Sequence, residues 1–305
     1  MATAIFAGFV DAHAALHWPS DNATTSENVV NSLIATATAF VVIGLFHHLV
    51  AKRFKRTYMA LHVFANIVIS TLTLPASLRA LANPTSSTIP TPGRQPDSLY
   101  ICWVWALHVY HPIFFKTGKM DWVHHIPVYI LNTLMFSVRH GDVIALQAFI
   151  MTGVPGGVDY LLQVLEGEGQ LSRGLYKEYC ASINMWVRAP FGAFSAYICL
   201  LGLAHGWDDA SGWQRLVLFL MGMHAAWNPP FFCRQAVEAN VVDIVNRFDL
   251  AGGALKLPKV RSLSGKTPKP AAEPRAAEAY PIGAADSAPA KEAEQLVAEP
   301  KKKSL

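Results

Sequence analysis

Apolar residues in this chain do not alternate with polar ones; they run in blocks, separated by short stretches where charge and proline collect. Seven blocks stand out, at 29–50, 57–78, 98–115, 121–138, 142–163, 179–203 and 213–233. A helix needs roughly 20 predominantly apolar residues to cross a bilayer, and these blocks are of that order. The third and fourth are shorter, and tilt or partial burial would accommodate them. In hydrocarbon a lone segment must satisfy its own backbone groups, which only a helix can do. The pattern therefore predicts an all-α membrane protein with about seven transmembrane helices surrounding a polar cavity, followed by a disordered C-terminal tail. The expected organisation is a lumenal segment at 1–28, a seven-helix domain at 29–235 and a cytosolic segment at 236–305, disordered from about 251.

Composition sharpens this reading. Hydrophobic residues make up 52% of the 305, charged residues only 15%, and mean hydropathy is +0.27. An ordinary soluble domain carries about 25% charged residues. A disordered chain or a nucleic-acid binder needs charge in place of apolar mass, so neither class fits. Residues 1–250 hold 15 basic and 15 acidic side chains, so the whole formal net charge of +4 belongs to residues 251–305. That tail also holds seven of the 19 prolines and has no means of burying a core.

Basic residues also set an orientation, because short cytosolic loops collect Lys and Arg. Lys52, Arg53, Lys55, Arg56, Lys116, Lys119, Arg173 and Lys177 fall on one side, against Arg79, Arg94 and Arg139 on the other. This predicts a lumenal N-terminus and a cytosolic C-terminus. The stretch before the first block is interrupted by Asp11, His13 and His17 and lacks a basic start, so it reads as an interfacial helix rather than a signal peptide. Asn22-Ala23-Thr24 is a glycosylation sequon on the predicted lumenal side. The chain ends Lys301-Lys302-Lys303-Ser304-Leu305, which has the form of a dilysine signal for retrieval to the endoplasmic reticulum by coat machinery. Cys102, Cys180, Cys199 and Cys233 have neither disulfide-framework nor zinc spacing.

Ionisable groups inside apolar blocks are costly and so mark candidate sites. Asp121-Trp122-Val123-His124-His125 opens the fourth block, and on a helix Asp121 faces both histidines, at i+3 and i+4. A carboxylate there can orient an imidazole acting as general base or nucleophile, so Asp121, His124 and His125 are the catalytic candidates. The alternative is an interfacial histidine pair, which is how His47-His48 reads, its nearest charge being Lys52. His108 and His111 are spaced too tightly for a di-iron histidine box, and no metal site is expected. Pro155-Gly156-Gly157 should kink the fifth block. Asp159 and Arg188 have opposite charges that suggest an intramembrane pair, which could also be purely structural. In the predicted topology His111, Asp121, His124, His125 and Asp159 all lie near the cytosolic face, within reach of acyl-CoA.

Three runs resemble the TLC-domain family, which includes the ceramide synthases: Asp121-Trp122-Val123-His124-His125, Asp159-Tyr160-Leu161-Leu162, and Ser182-Ile183-Asn184-Met185-Trp186-Val187-Arg188. The resemblance covers roughly residues 30–235. It implies a lipid-handling membrane protein of the endoplasmic reticulum that binds or senses acyl lipids, with His111, Asp159 and Arg188 lining or supporting the lipid cavity and no bound cofactor. By the same resemblance, His124 and His125 could instead carry acyl transfer from acyl-CoA, and the tail could instead make this a trafficking factor. The positions of a His-Asp pair in ceramide synthases read Pro155-Gly156 here, and the Glu that ends the second run is Gln163. An acid of the third block is replaced by His111 or a neighbour. The acidic part of the signature is thinned, which favours lipid binding over turnover.

Overall fold

A computed structural model describes residues 25–90, 99–138, 140–205 and 210–247. The described residues form seven principal helices and no strand: α1 (Thr25–Leu49), α2 (Thr57–Ala82), α3 (Leu99–Phe114), α4 (Lys119–Met135), α5 (Asp142–Gly167), α6 (173–205) and α7 (Gly212–Arg247). They follow the seven apolar blocks in order. Five of them, α1, α2, α5, α6 and α7, are long and apolar enough to cross a membrane. The chain therefore reads as a multi-pass membrane protein. The N-terminal segment with Asn22, the loop arginines Arg94 and Arg139, and the tail with its terminal lysines lie outside the described residues.

The two short helices differ from the other five for a physical reason. Helix α3 has 16 residues and rises about 24 Å, short of the roughly 30 Å hydrocarbon thickness. Most of it is buried: Leu99 to His108 apart from Trp105, and then Tyr110 and His111. A helix apolar on every side belongs in a core, and α3 packs against α1, α2 and α4. The partly polar α4, with 17 residues, packs against α3 and α7. By contrast α1 exposes Val30, Leu33, Val41, Leu45 and Leu49, a face suited to lipid.

Helices α2 and α5 run antiparallel and are pinned near both ends. At one end Arg56 Nη2 pairs with Glu166 Oε2, and the Lys55 backbone N–H donates to Glu168 Oε1 at 2.7 Å. At the other, Arg79 donates twice to Asp142, Nε to Oδ2 at 2.9 Å and Nη2 to Oδ1 at 3.0 Å. The two pairs are about 35 Å apart along α2, at 1.5 Å per residue, so they bracket a bilayer-sized length. The end carrying Lys52 to Arg56 is called the basic end below. There α5 stops in a Schellman turn: Gly169 takes φ 75°, and the N–H of Gln170 reaches back to the Leu165 carbonyl at 2.9 Å. Ser172 then caps α6, accepting the Leu175 N–H at 3.3 Å.

Proline shapes two of the long helices in the same way. Helix α5 widens into a π turn at Phe149–Gly153, just before Pro155, and α6 does so at Asn184–Arg188, just before Pro190. A proline lacks the N–H and its ring crowds the carbonyl of the preceding turn, and a wider turn relieves both. The kink expected at Pro155 is thus a π turn that ends two residues upstream.

The Arg79–Asp142 pair is bidentate and part-buried, so a coupling of about 1 kcal/mol is expected. In a double-mutant cycle by thermal melts, Arg79→Ala and Asp142→Ala should each lower Tm by a few degrees, and the pair together by less than their sum. Fully additive losses would show that the two ends are not coupled.

Candidate functional site

Near the basic end, α2, α3 and α4 bring five histidines into ring contact, with α7 packed beside them. Asp121 sets the start of α4: its Oδ2 accepts the Gly118 backbone N–H at 2.6 Å, filling an N-terminal capping role. With the helix begun there, His124 and His125 fall on its second turn. His108 and His111 come from α3, His62 from α2, and Asn228 from the middle of α7.

The hydrogen bonds assign the ring nitrogens in sequence. His108 Nδ1 lies 2.7 Å from the Val104 carbonyl, which can only accept, so Nδ1 carries a proton. His108 Nε2 then presents a lone pair, and His124 Nε2 donates to it at 3.0 Å. His124 Nδ1 is left as an acceptor, and Asn228 Nδ2 donates to it at 3.4 Å. Both nitrogens of His124 are therefore spent inside the protein, and Phe232 packs edge-on against its ring at 5.5 Å. A second chain is less complete. His111 Nδ1 and His125 Nε2 are 3.4 Å apart, while His111 Nε2 and His125 Nδ1 are buried with no hydrogen-bond partner. His62 donates from Nδ1 to the Tyr58 carbonyl at 2.8 Å, and its ring lies between His111 (4.2 Å) and Tyr160 (4.1 Å).

A second polar patch adjoins this one, built by α2, α5 and α6. On α5, Gly156, Asp159 and Gln163 recur at helical spacing, and all three are buried. On α6, Cys180, Asn184 and Arg188 follow at intervals of four. Asn184 Nδ2 donates to the Cys180 carbonyl at 2.9 Å, and Arg188 Nη1 donates to Asn184 Oδ1 at 3.1 Å. From α2 comes Asn66, 1% exposed. A Cβ at Gly156 would sit 3.1 Å from both Arg188 Nη2 and Asn66 Nδ2, so the two side chains converge on that bare backbone. Several polar atoms here have no partner: both ends of the Asn66 amide, Asp159 Oδ1, Gln163 Nε2 and Arg188 Nε.

The structure thus brings His111, His124 and His125 together and sets Asp159 and Arg188 in the neighbouring patch. Asp121 stands one turn before the histidines with its carboxylate on Gly118, so Asn228 and His108, not Asp121, set the His124 tautomer. Asp159 and Arg188 lie within electrostatic range, but among the described residues no direct ion pair joins them. The His47-His48 pair divides. His48 is exposed and accepts from Lys52 at 2.9 Å, as an interfacial residue would, whereas His47 is buried with Nδ1 2.8 Å from the Tyr110 hydroxyl. Sequence reasoning missed His62, Asn66 and Asn228; a polar side chain inside an apolar block was the available signal for each. Among the described residues no group of three or more His, Cys, Asp or Glu side chains is arranged to hold a metal ion, and the four cysteines are free.

No family model, curated protein or solved structure matches the chain.

The close approach at Gly156 gives a graded test. Gly156→Ala forces its methyl against two polar side chains and should cost about 1–3 kcal/mol, the usual range for overpacking. Gly212→Ala, where nothing lies within 4 Å, should leave the melting temperature nearly unchanged. Equal losses in both variants would remove the case for a packed polar junction at Gly156.

Proposed function

We propose that this protein is a lipid-handling membrane protein of the endoplasmic reticulum, a divergent TLC-like seven-helix protein that binds or senses acyl lipids. The observation that supports it best is the group of buried polar atoms with unspent hydrogen bonds in and beside the histidine cluster. Such atoms cost about 1–3 kcal/mol each when left without a partner, so a bound polar head is favoured there. The long apolar helices suit acyl chains, and the basic end is the cytosolic side in the orientation that the loop lysines and arginines favour. Membrane lipids are the expected partners. The terminal lysines suit recognition by coat machinery, which would hold the protein in the reticulum.

Acyl transfer from acyl-CoA is the second reading, and one observation favours it. His125 keeps Nδ1 unpaired, whereas His124 has neither nitrogen to spare. In that reaction His125 would take the proton of the acceptor as it attacks the thioester carbonyl, the carbon–sulfur bond would break, and the proton would pass to the departing CoA thiolate. Any trafficking role would rest on the tail.

Lipid co-purified with the wild-type protein, measured by untargeted lipidomics, should include acyl lipids in near-stoichiometric amount. The His124→Ala/His125→Ala variant should lose most of it, while His48→Ala, at an exposed histidine, should retain it. No enrichment over empty detergent micelles would sink the binding reading. Acyl-CoA consumption that is present in the wild type and absent in His125→Ala would replace it with the acyltransferase.

A further inference from the structure

The patch around Gly156 specifies the charge class of its ligand, and this step rests on the lipid-binding reading above. Its unspent atoms are of both kinds. Asn66 Nδ2, Gln163 Nε2 and Arg188 Nε are donors, and Asn66 Oδ1 and Asp159 Oδ1 are acceptors. Asn66, Asp159 and Gln163 are each more than nine-tenths buried, at 1%, 8% and 3% exposure. They sit on one face of α5 and on the facing turn of α2, and Arg188 reaches the same point from the π turn of α6.

A carboxylate offers only acceptors. It would satisfy the donors but leave both acceptor oxygens unmet, with its charge beside Asp159. An ammonium offers only donors and has the opposite fault, beside Arg188. Hydroxyl groups donate and accept at once, so they can answer both kinds of atom. When Asp159 is ionised, it and Arg188 carry opposite charges within electrostatic range of each other, which largely cancel for a neutral group placed between them.

We propose that the patch formed by Asn66, Gly156, Asp159, Gln163 and Arg188 is a binding site for the headgroup of a neutral, hydroxyl-bearing lipid. It selects against free fatty acids and against long-chain amines, and the Asp159/Arg188 balance enforces that selection. Removing either charge should therefore retune the site. With Asp159 neutralised, Arg188 is uncompensated and favours a carboxylate; with Arg188 neutralised, Asp159 favours an ammonium.

The test uses the full-length protein in phosphatidylcholine nanodiscs at pH 8, with three radiolabelled probes that share one chain: 1-oleoylglycerol, oleate and oleylamine. Binding is measured against empty nanodiscs. Wild-type protein should bind 1-oleoylglycerol at least tenfold more tightly than either charged probe. Asp159→Asn should raise oleate affinity at least tenfold, Arg188→Gln should do the same for oleylamine, and the double variant should return to the neutral preference. If a single variant fails to fold, the wild-type ranking decides alone. A wild type that prefers oleate or oleylamine, or folded variants that leave the ranking unchanged, would overturn the assignment while leaving lipid binding intact. Binding of none of the three probes would overturn both readings.

Discussion

The antiparallel pairing of α2 with α5 is the constraint on which both polar patches depend. Ion pairs at the two ends fix its register, Arg56 with Glu166 and Arg79 with Asp142. Between them α2 carries a stripe of polar residues, His62, Asn66, Ser70, Thr73 and Ser77, through a helix of spanning length. The stripe splits by chemistry. Thr73 and Ser77 have short hydroxyls that return to their own helix, donating to the Ile69 and Thr73 carbonyls at 2.7 and 2.8 Å. An amide has a second polar atom that no carbonyl of its own helix can answer, and Asn66 finds a partner for neither. On α2 the unspent hydrogen-bonding capacity therefore lies at Asn66, in the half toward the basic end, and the hydroxyls of Thr73 and Ser77 in the far half are spent.

The two π turns complete the arrangement. In α6 the wide turn at Asn184–Arg188 sends Met185, Trp186 and Val187 outward, with Trp186 73% exposed, while Asn184 is buried and Arg188 reaches Gly156. Asn184 and Arg188, four residues apart, share the inward face, and the three large apolar residues between them cover the rest of the turn. In α5 the turn at Phe149–Gly153 accommodates Pro155 and leads directly into Gly156. Both departures from α geometry thus flank the same polar patch, as π turns at functional sites often do.

Much of the fold was legible because hydropathy and length act locally. The seven blocks became seven helices, and the largest changes of edge are extensions past the apolar run. Helix α7 extends to Arg247, carrying an exposed Arg234–Glu238 pair at 2.6 Å. Helix α6 begins at Arg173 because Ser172 caps it. The site was legible only in part. Helical spacing put Asp121 opposite His124 and His125, but the free N–H groups at a helix start compete for a nearby carboxylate, and Gly118 takes it. The partner of His47 is a phenol on another helix, and the partner of His124 is an amide on α7, about a hundred residues away. Contacts of that kind depend on register between helices, which a single sequence does not record.

In the lipid-binding reading, a bound headgroup answers the polar atoms that lack partners inside this bundle. A ligand that binds only the folded state stabilises it by RT ln(1 + [L]/Kd), about 2.7 kcal/mol at a hundredfold excess over Kd. Thermal melts of delipidated protein, before and after adding 1-oleoylglycerol, test this directly. A rise of roughly 5–10 °C that grows with the logarithm of ligand concentration is the predicted result. An unchanged melting temperature at saturating lipid would contradict the claim.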